Sequence, residues 1–198
     1  MALCWQIEYP NSRQSSMKIC VINSLYEPYT RGGAEIMVAR QVRAYRELGH
    51  EIFVVTTAVN HKDRFDNVGG INVYRLAPRN FFTFYNYARM PLPLRVLWLL
   101  IDIFNIFLAN QVKDILKFEK PDRVHTHNLR GLSYLLPRYI KKLGIQHYHT
   151  LHDIQLVYPA GLLTLSQGIY QADKLQNKFF FRVWYETLTR FLFGSPDK

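Results

Sequence analysis

Two short, uninterrupted apolar runs rich in β-branched residues, KICVINSLY from Lys18 and IFVVTT from Ile52, flank a segment whose apolar residues recur at helical spacing. This alternation constrains the fold more than any other feature. Between the runs, the turn-like EPYTRGG leads into AEIMVARQVRAYRELG. There Ala34, Met37, Val38, Gln41, Val42, Tyr45 and Leu48 share one helical face, and Arg40, Arg43 and Arg46 turn toward solvent or the helix flanks. Gly49 supplies the stop. Continuous apolar strands joined by such a helix predict a βαβ unit with parallel strands and a right-handed crossover.

The alternation continues. A strand is expected over Ile71–Leu76, after the turn signal Gly69-Gly70, followed by one long apolar helix over about Leu94–Phe118 that ends before Pro121. Asp122–Thr126 reads as a strand, Leu132–Leu143 as a helix ended by Gly144, and Ile145–Thr150 as a further strand. A loop around Pro159–Gly161 and an amphipathic helix over Lys178–Phe193 complete the pattern. The expected fold class is α/β, a Rossmann-like doubly wound parallel sheet flanked by helices. Such a sheet calls for another strand after the last helix, so a truncated domain is expected. Residues 1–16 read as a loose N-terminal extension, with Met17 as the expected natural start and 17–198 as the domain.

Charge narrows the partners. The 25 Lys and Arg exceed the 15 Asp and Glu by 10, which favours a polyanion such as a diphosphate, nucleic acid or an anionic membrane face. The most apolar window, Leu94 to Ala109, carries Arg95, Asp102 and Asn105 and falls short of the roughly 20 residues a bilayer crossing needs. The opening MALCWQIEYPNSRQSS lacks the basic start and apolar stretch of a secretion signal. Only Cys4 and Cys20 are present, which argues against a disulfide framework and for a reducing, cytoplasmic compartment.

Three groups of residues are candidates for chemistry. Gly32 and Gly33 end the loop after the first strand, just before a helix, where a ligand phosphate or sugar can approach a backbone without Cβ atoms. The alternative there is a tight turn. The three-glycine dinucleotide fingerprint is missing, which disfavours a nicotinamide enzyme. Five of the seven histidines lie between His125 and His152. His125 and His127 share one side of a strand, as do His147 and His149, so on neighbouring strands both pairs would approach one crevice. No His-Glu-x-x-His pattern or cysteine pair accompanies them, and no metal site is expected. His152, in Thr150-Leu151-His152-Asp153, lies beyond a strand's carboxyl end, where an imidazole can meet a bound ligand. The third group is RNFFTFYNYARMPLPLRVLW, whose Arg79, Arg89, Arg95 and Trp98 suit an acceptor or membrane surface. Its alternative is an aromatic lid over the domain's own core.

The stretches MKICVINSLYEPYTRGGAEIMVARQVRAYRELGHEIFVVTT and PDRVHTHNLRGLSYLLPRYIKKLGIQHYHTLHD resemble the N-terminal domain of family 4 glycosyltransferases of the GT-B fold. The similarity extends from about Met17 to the C-terminus. It implies a retaining transferase that moves a sugar from a nucleotide-sugar donor, a co-substrate, to a glycan or lipid-linked acceptor, without a metal or other cofactor. By position, Gly32 and Gly33 would line the cleft with His127, His152 would touch the transferred sugar, and Asp153 would position the loop. The family's C-terminal donor domain is absent from this sequence. The isolated chain is therefore expected to be inactive, with room for a separately encoded C-terminal half. With that resemblance, the basic and aromatic surface near Arg79 to Trp98 favours a membrane-linked or polysaccharide acceptor, hence a role in polysaccharide biosynthesis with peripheral contact at the inner membrane face, and in the absence of an RNA-binding motif no nucleic-acid partner is expected. The rival reading is a non-catalytic Rossmann-like module that uses the same crevice for a phosphorylated ligand or nucleic acid.

Overall fold

The computed structural model describes residues 15–83, 86 and 91–152. The loop at Pro159–Gly161 and the helix expected over Lys178–Phe193 lie outside them. The chain runs β1 (Lys18–Ile22), α1 (Gly33–Glu47), β2 (Glu51–Thr57), β3 (Arg64–Val68), β4 (Ile71–Leu76), α2 (Leu92–Ile103), α3 (Ile106–Glu119), β5 (Arg123–Thr126), α4 (Leu136–Lys142) and β6 (Gln146–His149). The strands form one sheet in the order β3-β4-β2-β1-β5-β6. All neighbours are parallel except β3, which pairs antiparallel with β4. The sheet is Rossmann-like, and its strand order reverses between β1 and β5, where such sheets open their ligand crevice.

Alternation along the strands builds two cores. Ile19, Val21, Ile52, Val54, Ile71 and Val73 face Val38, Ala39 and Val42 of α1. On the other side Cys20, Ile22, Phe53, Val55 and Val124 face Leu108, Val112 and Leu116 of α3 and Leu136 and Ile140 of α4. Because both faces are covered, the central strands read as continuous apolar runs.

Four details differ from the sequence expectation. The sheet is mixed because Arg64–Val68 forms an edge strand, joined to β4 by the two-residue turn Gly69-Gly70, both at positive φ. Its exposed, polar pattern left no hydrophobic signal. The single helix expected over Leu94–Phe118 is two, because the Asn105 side chain accepts from Leu108 N–H at 3.1 Å and caps a new start. The helix expected from Leu132 starts at Leu136, since Ser133 at φ 129 cannot be helical and Pro137 suits a first turn. On α1, Met37 and Leu48 are exposed, while Glu35 is 6% exposed and takes their place on the buried face.

Arg75, 1% exposed at the end of β4, ties the loop after β1 to the sheet. Its Nη1 donates to Tyr26 O at 3.1 Å, its Nη2 donates to Glu27 O, and its Nε donates to Asp66 Oδ2 at 2.6 Å. Replacing it with Met (Arg75→Met) removes all three bonds and takes the guanidinium donor from Glu27 O, while Tyr26 O keeps the Tyr29 N–H and Asp66 keeps Arg64. The expected loss is about 3 kcal/mol, or roughly 6–12 °C in Tm for a domain of this size. A melting temperature within about 2 °C of wild type would refute this role.

Candidate functional site

The loops leaving β1, β5 and β6 stand at adjacent strand tips. Asn23 and Ser24, fully buried just past β1, join the first two loops. Asn23 Oδ1 accepts from Asn128 N–H at 3.1 Å and Ser24 Oγ donates to Asn128 O at 2.9 Å. Ser24 O also accepts from Thr57 N–H at 3.1 Å, which adds the end of β2 to the same clamp. The sequence reading missed both residues. Their signal was two polar residues interrupting an apolar run at a strand's carboxyl end, where buried side chains must find partners.

Gly32 and Gly33 sit exposed at the head of α1. Gly32 has φ −163, an extended backbone open to any residue, and neither glycine has a positive φ. A Cβ at Gly33 would meet nothing within 4 Å, and one at Gly32 would make only an ordinary contact with Glu35 at 3.7 Å. Neither backbone conformation nor packing requires glycine here, and the missing Cβ atoms leave the backbone accessible. The N–H groups at this helix head are not all open: Gly32 N–H donates to Glu35 Oε2 at 2.8 Å. A Glu three residues after the cap was the sequence signal for this contact.

Of the histidines, the structure brings His127 and His152 together. His127 Nδ1 and His152 Nε2 are 2.8 Å apart, and the His127 ring stacks on His125 at 4.4 Å. His127 is 1% exposed, and its Nε2 has no hydrogen-bond partner. A buried N–H without an acceptor costs more than a bare lone pair, which puts the His127 proton on Nδ1, donating to His152. His152 then carries its own proton on Nδ1 and acts as a hydrogen-bond donor. Burial, helped by neighbouring histidines, pulls His127 down to about 3, so it stays neutral.

The two histidine pairs lie on opposite faces of the sheet, although His125 and His149 both line the cavity beside Tyr148 and Thr150. Strand register aligns His125 with Val21 and Tyr148, on the α1 face, whereas His147 aligns with Val124 and His149 with Thr126, on the α3 and α4 face. Neighbouring strands bring like-facing residues together only when the register offset is even. His125 contacts the Tyr45 hydroxyl at 3.0 Å and Thr150 at 2.7 Å, while His147 and His149 both contact Thr126 Oγ1, at 2.7 and 2.8 Å. Among the described residues no group of three or more His, Cys, Asp or Glu is arranged to hold a metal ion.

Trp98 is not a surface residue. It is fully buried, stacked on Phe82 at 5.8 Å, with its indole N–H donating to Phe82 O at 2.8 Å. A Trp on the inner face of a largely apolar helix fills the core beneath the aromatic loop. Arg79 is exposed and pairs with Asp63 at 3.3 Å. Asp153, Arg89 and the Arg95 side chain lie outside the described residues. Phe81, Leu94, Leu97, Phe104, Ile106 and Phe107 are exposed apolar side chains. No helix among the described residues is long and apolar enough to cross a membrane.

The sequence matches the profile of Glycosyltransferase Family 4 over residues 31–193. The chain belongs to that family. It is 32% identical over 143 residues to a 42.6 kDa protein of the cps region of Klebsiella pneumoniae, covering 72% of this family 4 chain but only 38% of that relative. In structure it is similar to sucrose-phosphate synthase of Thermosynechococcus elongatus, with TM-score 0.49 and 16% identity, covering 81% of this chain and 40% of that one. It is also similar to α,α-trehalose 6-phosphate synthase of Burkholderia multivorans, with TM-score 0.45 and 15% identity, covering 89% of this chain and 37% of that one.

Proposed function

We propose that this family 4 chain is the acceptor-side half of a GT-B glycosyltransferase that moves a sugar, with retention, from a nucleotide-sugar to a glycan or lipid-linked acceptor. The observation that carries the reading is the pair Gly32-Gly33, exposed at the head of α1 and required by neither backbone angle nor packing. Breaking the bond between the sugar's anomeric carbon and the departing diphosphate builds positive character on the sugar and negative charge on the leaving oxygens. Fixed backbone dipoles beside the leaving group lower that barrier. His152 orients the sugar through its Nδ1–H, and His127 holds it in that tautomer across their 2.8 Å contact. The second half of the site comes from a donor-binding domain, on the same polypeptide or a separate one. The exposed apolar residues Phe81, Leu97, Phe104 and Phe107 support a lipid-linked acceptor and peripheral contact with the inner membrane face of the cytoplasm.

The test is transfer from a panel of nucleotide-sugars to lipid-linked and glycan acceptors, with the donor-binding half present and absent. We expect transfer only when that half is present. His152→Ala should lower kcat roughly 100-fold, and His127→Phe should lower it by about tenfold at unchanged fold. Robust transfer by the 198-residue chain alone would refute the divided site. Tight, salt-sensitive oligonucleotide binding, with no response to nucleotide-sugars or anionic vesicles, would replace the reading with that of a nucleic-acid-binding module.

A further inference from the structure

Asp102, near the end of helix α2, is 1% exposed and turns both carboxylate oxygens toward a single backbone N–H, that of Gly131, at 3.1 and 2.9 Å. Gly131, at φ 86, closes the loop that leaves β5 through His127, Asn128, Leu129 and Arg130. The near end of this loop is already clamped at Asn128 by Asn23 and Ser24. The far end depends on Asp102. We infer that Asp102 is a positioning residue, holding the Asn128–Gly131 wall of the crevice against helix α2. The catalytic consequence rests on the sugar-transfer reading above, which this role deepens.

The chemistry of the side chain supports the role. Burial pushes the Asp102 carboxyl up to about 7, against the opposing pull of the Gly131 N–H and the Arg130 charge. Among the described residues, Arg130 on the loop is the charged group acting on it. At the N-cap of α3 the neutral Asn105 meets its backbone, donating N–H to Asp102 O at 3.4 Å. An asparagine of the same shape would avoid the cost of burying charge, so packing alone gives no reason for a carboxylate here. A charge-assisted acceptor for Gly131 N–H, beside a buried guanidinium, gives one.

Amide hydrogen exchange across residues 127–133, corrected for intrinsic rates, tests the assignment in the wild-type chain and in Asp102→Asn at about pH 6, 7 and 8. In the wild type, protection at Gly131 should rise over this range as the carboxyl ionises. In Asp102→Asn it should be roughly tenfold lower and independent of pH, with β1 and β2 amides unchanged. Because an acid whose folded pKa is raised loses stability as pH climbs from its unfolded value toward its folded one, wild type should lose ground against the variant up to about pH 7 and level off above. With the donor-binding half present, kcat should fall while the KM for nucleotide-sugar holds. Unchanged Gly131 protection in the variant, or protection independent of pH in the wild type, would overturn the inference, and the wild-type series decides it even if the variant does not fold. Exchange as expected but no sugar transfer by wild type would refute the transferase reading and leave the role of Asp102 standing.

Discussion

Acidification from about pH 7 to pH 4 is expected to cost the fold several kcal/mol, with the midpoint of acid unfolding above about pH 4. The cause is three histidines buried in their neutral form. Desolvation and neighbouring imidazoles pull His127 down to about 3 and His147 and His149 to about 4 each. The unfolded chain takes up these protons near pH 6.5, and the folded chain resists them. Their stability is therefore complete above about 6.5 and lost progressively as pH falls toward the folded values. At about 1.36 kcal/mol per unit, His127 contributes on the order of 4 kcal/mol. His147 and His149, which are partly exposed, contribute about as much again between them once solvent screening is allowed for. Asp102 works in the opposite direction, gaining stability as pH falls from about 7, and offsets one of these shares. The remainder is a large part of the roughly 5–15 kcal/mol typical of a domain. Circular dichroism through an acid titration reads the effect. His147→Gln, which keeps a donor and acceptor beside Thr126, should move the midpoint to lower pH. Stability that is flat between about pH 7 and 4.5 would show that these imidazoles are not buried as described.

Gly33→Val is expected to leave the fold intact and to lower sugar transfer by about 100-fold or more. The fold should tolerate the change because Gly33 is exposed, has no positive φ, and has open space where a Cβ would stand. A glycine in such a place can even be replaced by alanine with a gain of roughly 0.4–1 kcal/mol, through a less free unfolded chain. The cost falls on the ligand, since a branched side chain at the head of α1 pushes a bound sugar or phosphate away from the backbone. A displacement of about 1 Å is enough for a loss of that order. The melting temperature and the transfer rate, measured on the same preparation with the donor-binding half present, check both halves of the expectation. Full transfer by Gly33→Val would remove the physical basis of the proposed function. A large drop in melting temperature would return the glycine pair to a structural role.

Most of the scaffold was legible in the sequence because its signals are local. Lys18–Ile22 and Ile52–Thr57 are runs that only a strand covered on both faces buries well, with the helical period of α1 between them, and Ile71–Leu76 alternates buried and more exposed positions after a glycine turn. Two of the misses arise where no hydrophobic pattern marks the feature. Arg64–Val68 becomes a strand because Gly69-Gly70 folds it back on β4, not because of its own side chains. The break between α2 and α3 hangs on a single capping bond from Asn105.

The candidate site divides along the same line. From its own residues the chain determined an α/β sheet, a glycine pair ahead of the first helix, and a concentration of histidines at later strand tips, because each of these depends on residue type and spacing along the chain. The tertiary structure alone decided which histidines meet. The register between β5 and β6 turned His147 and His149 away from the face that holds His125, and left His127 to pair with His152. It also decided that Trp98 is core, and that Asn23, Ser24, Arg75 and Asp102, buried polar groups far apart in sequence, hold the loops around the crevice. The reason is physical: a hydrogen bond between residues separated by 29 positions, as for Asp102 and Gly131, or by 105, as for Asn23 and Asn128, leaves no periodic trace in the chain and exists only once the sheet has brought its partners together.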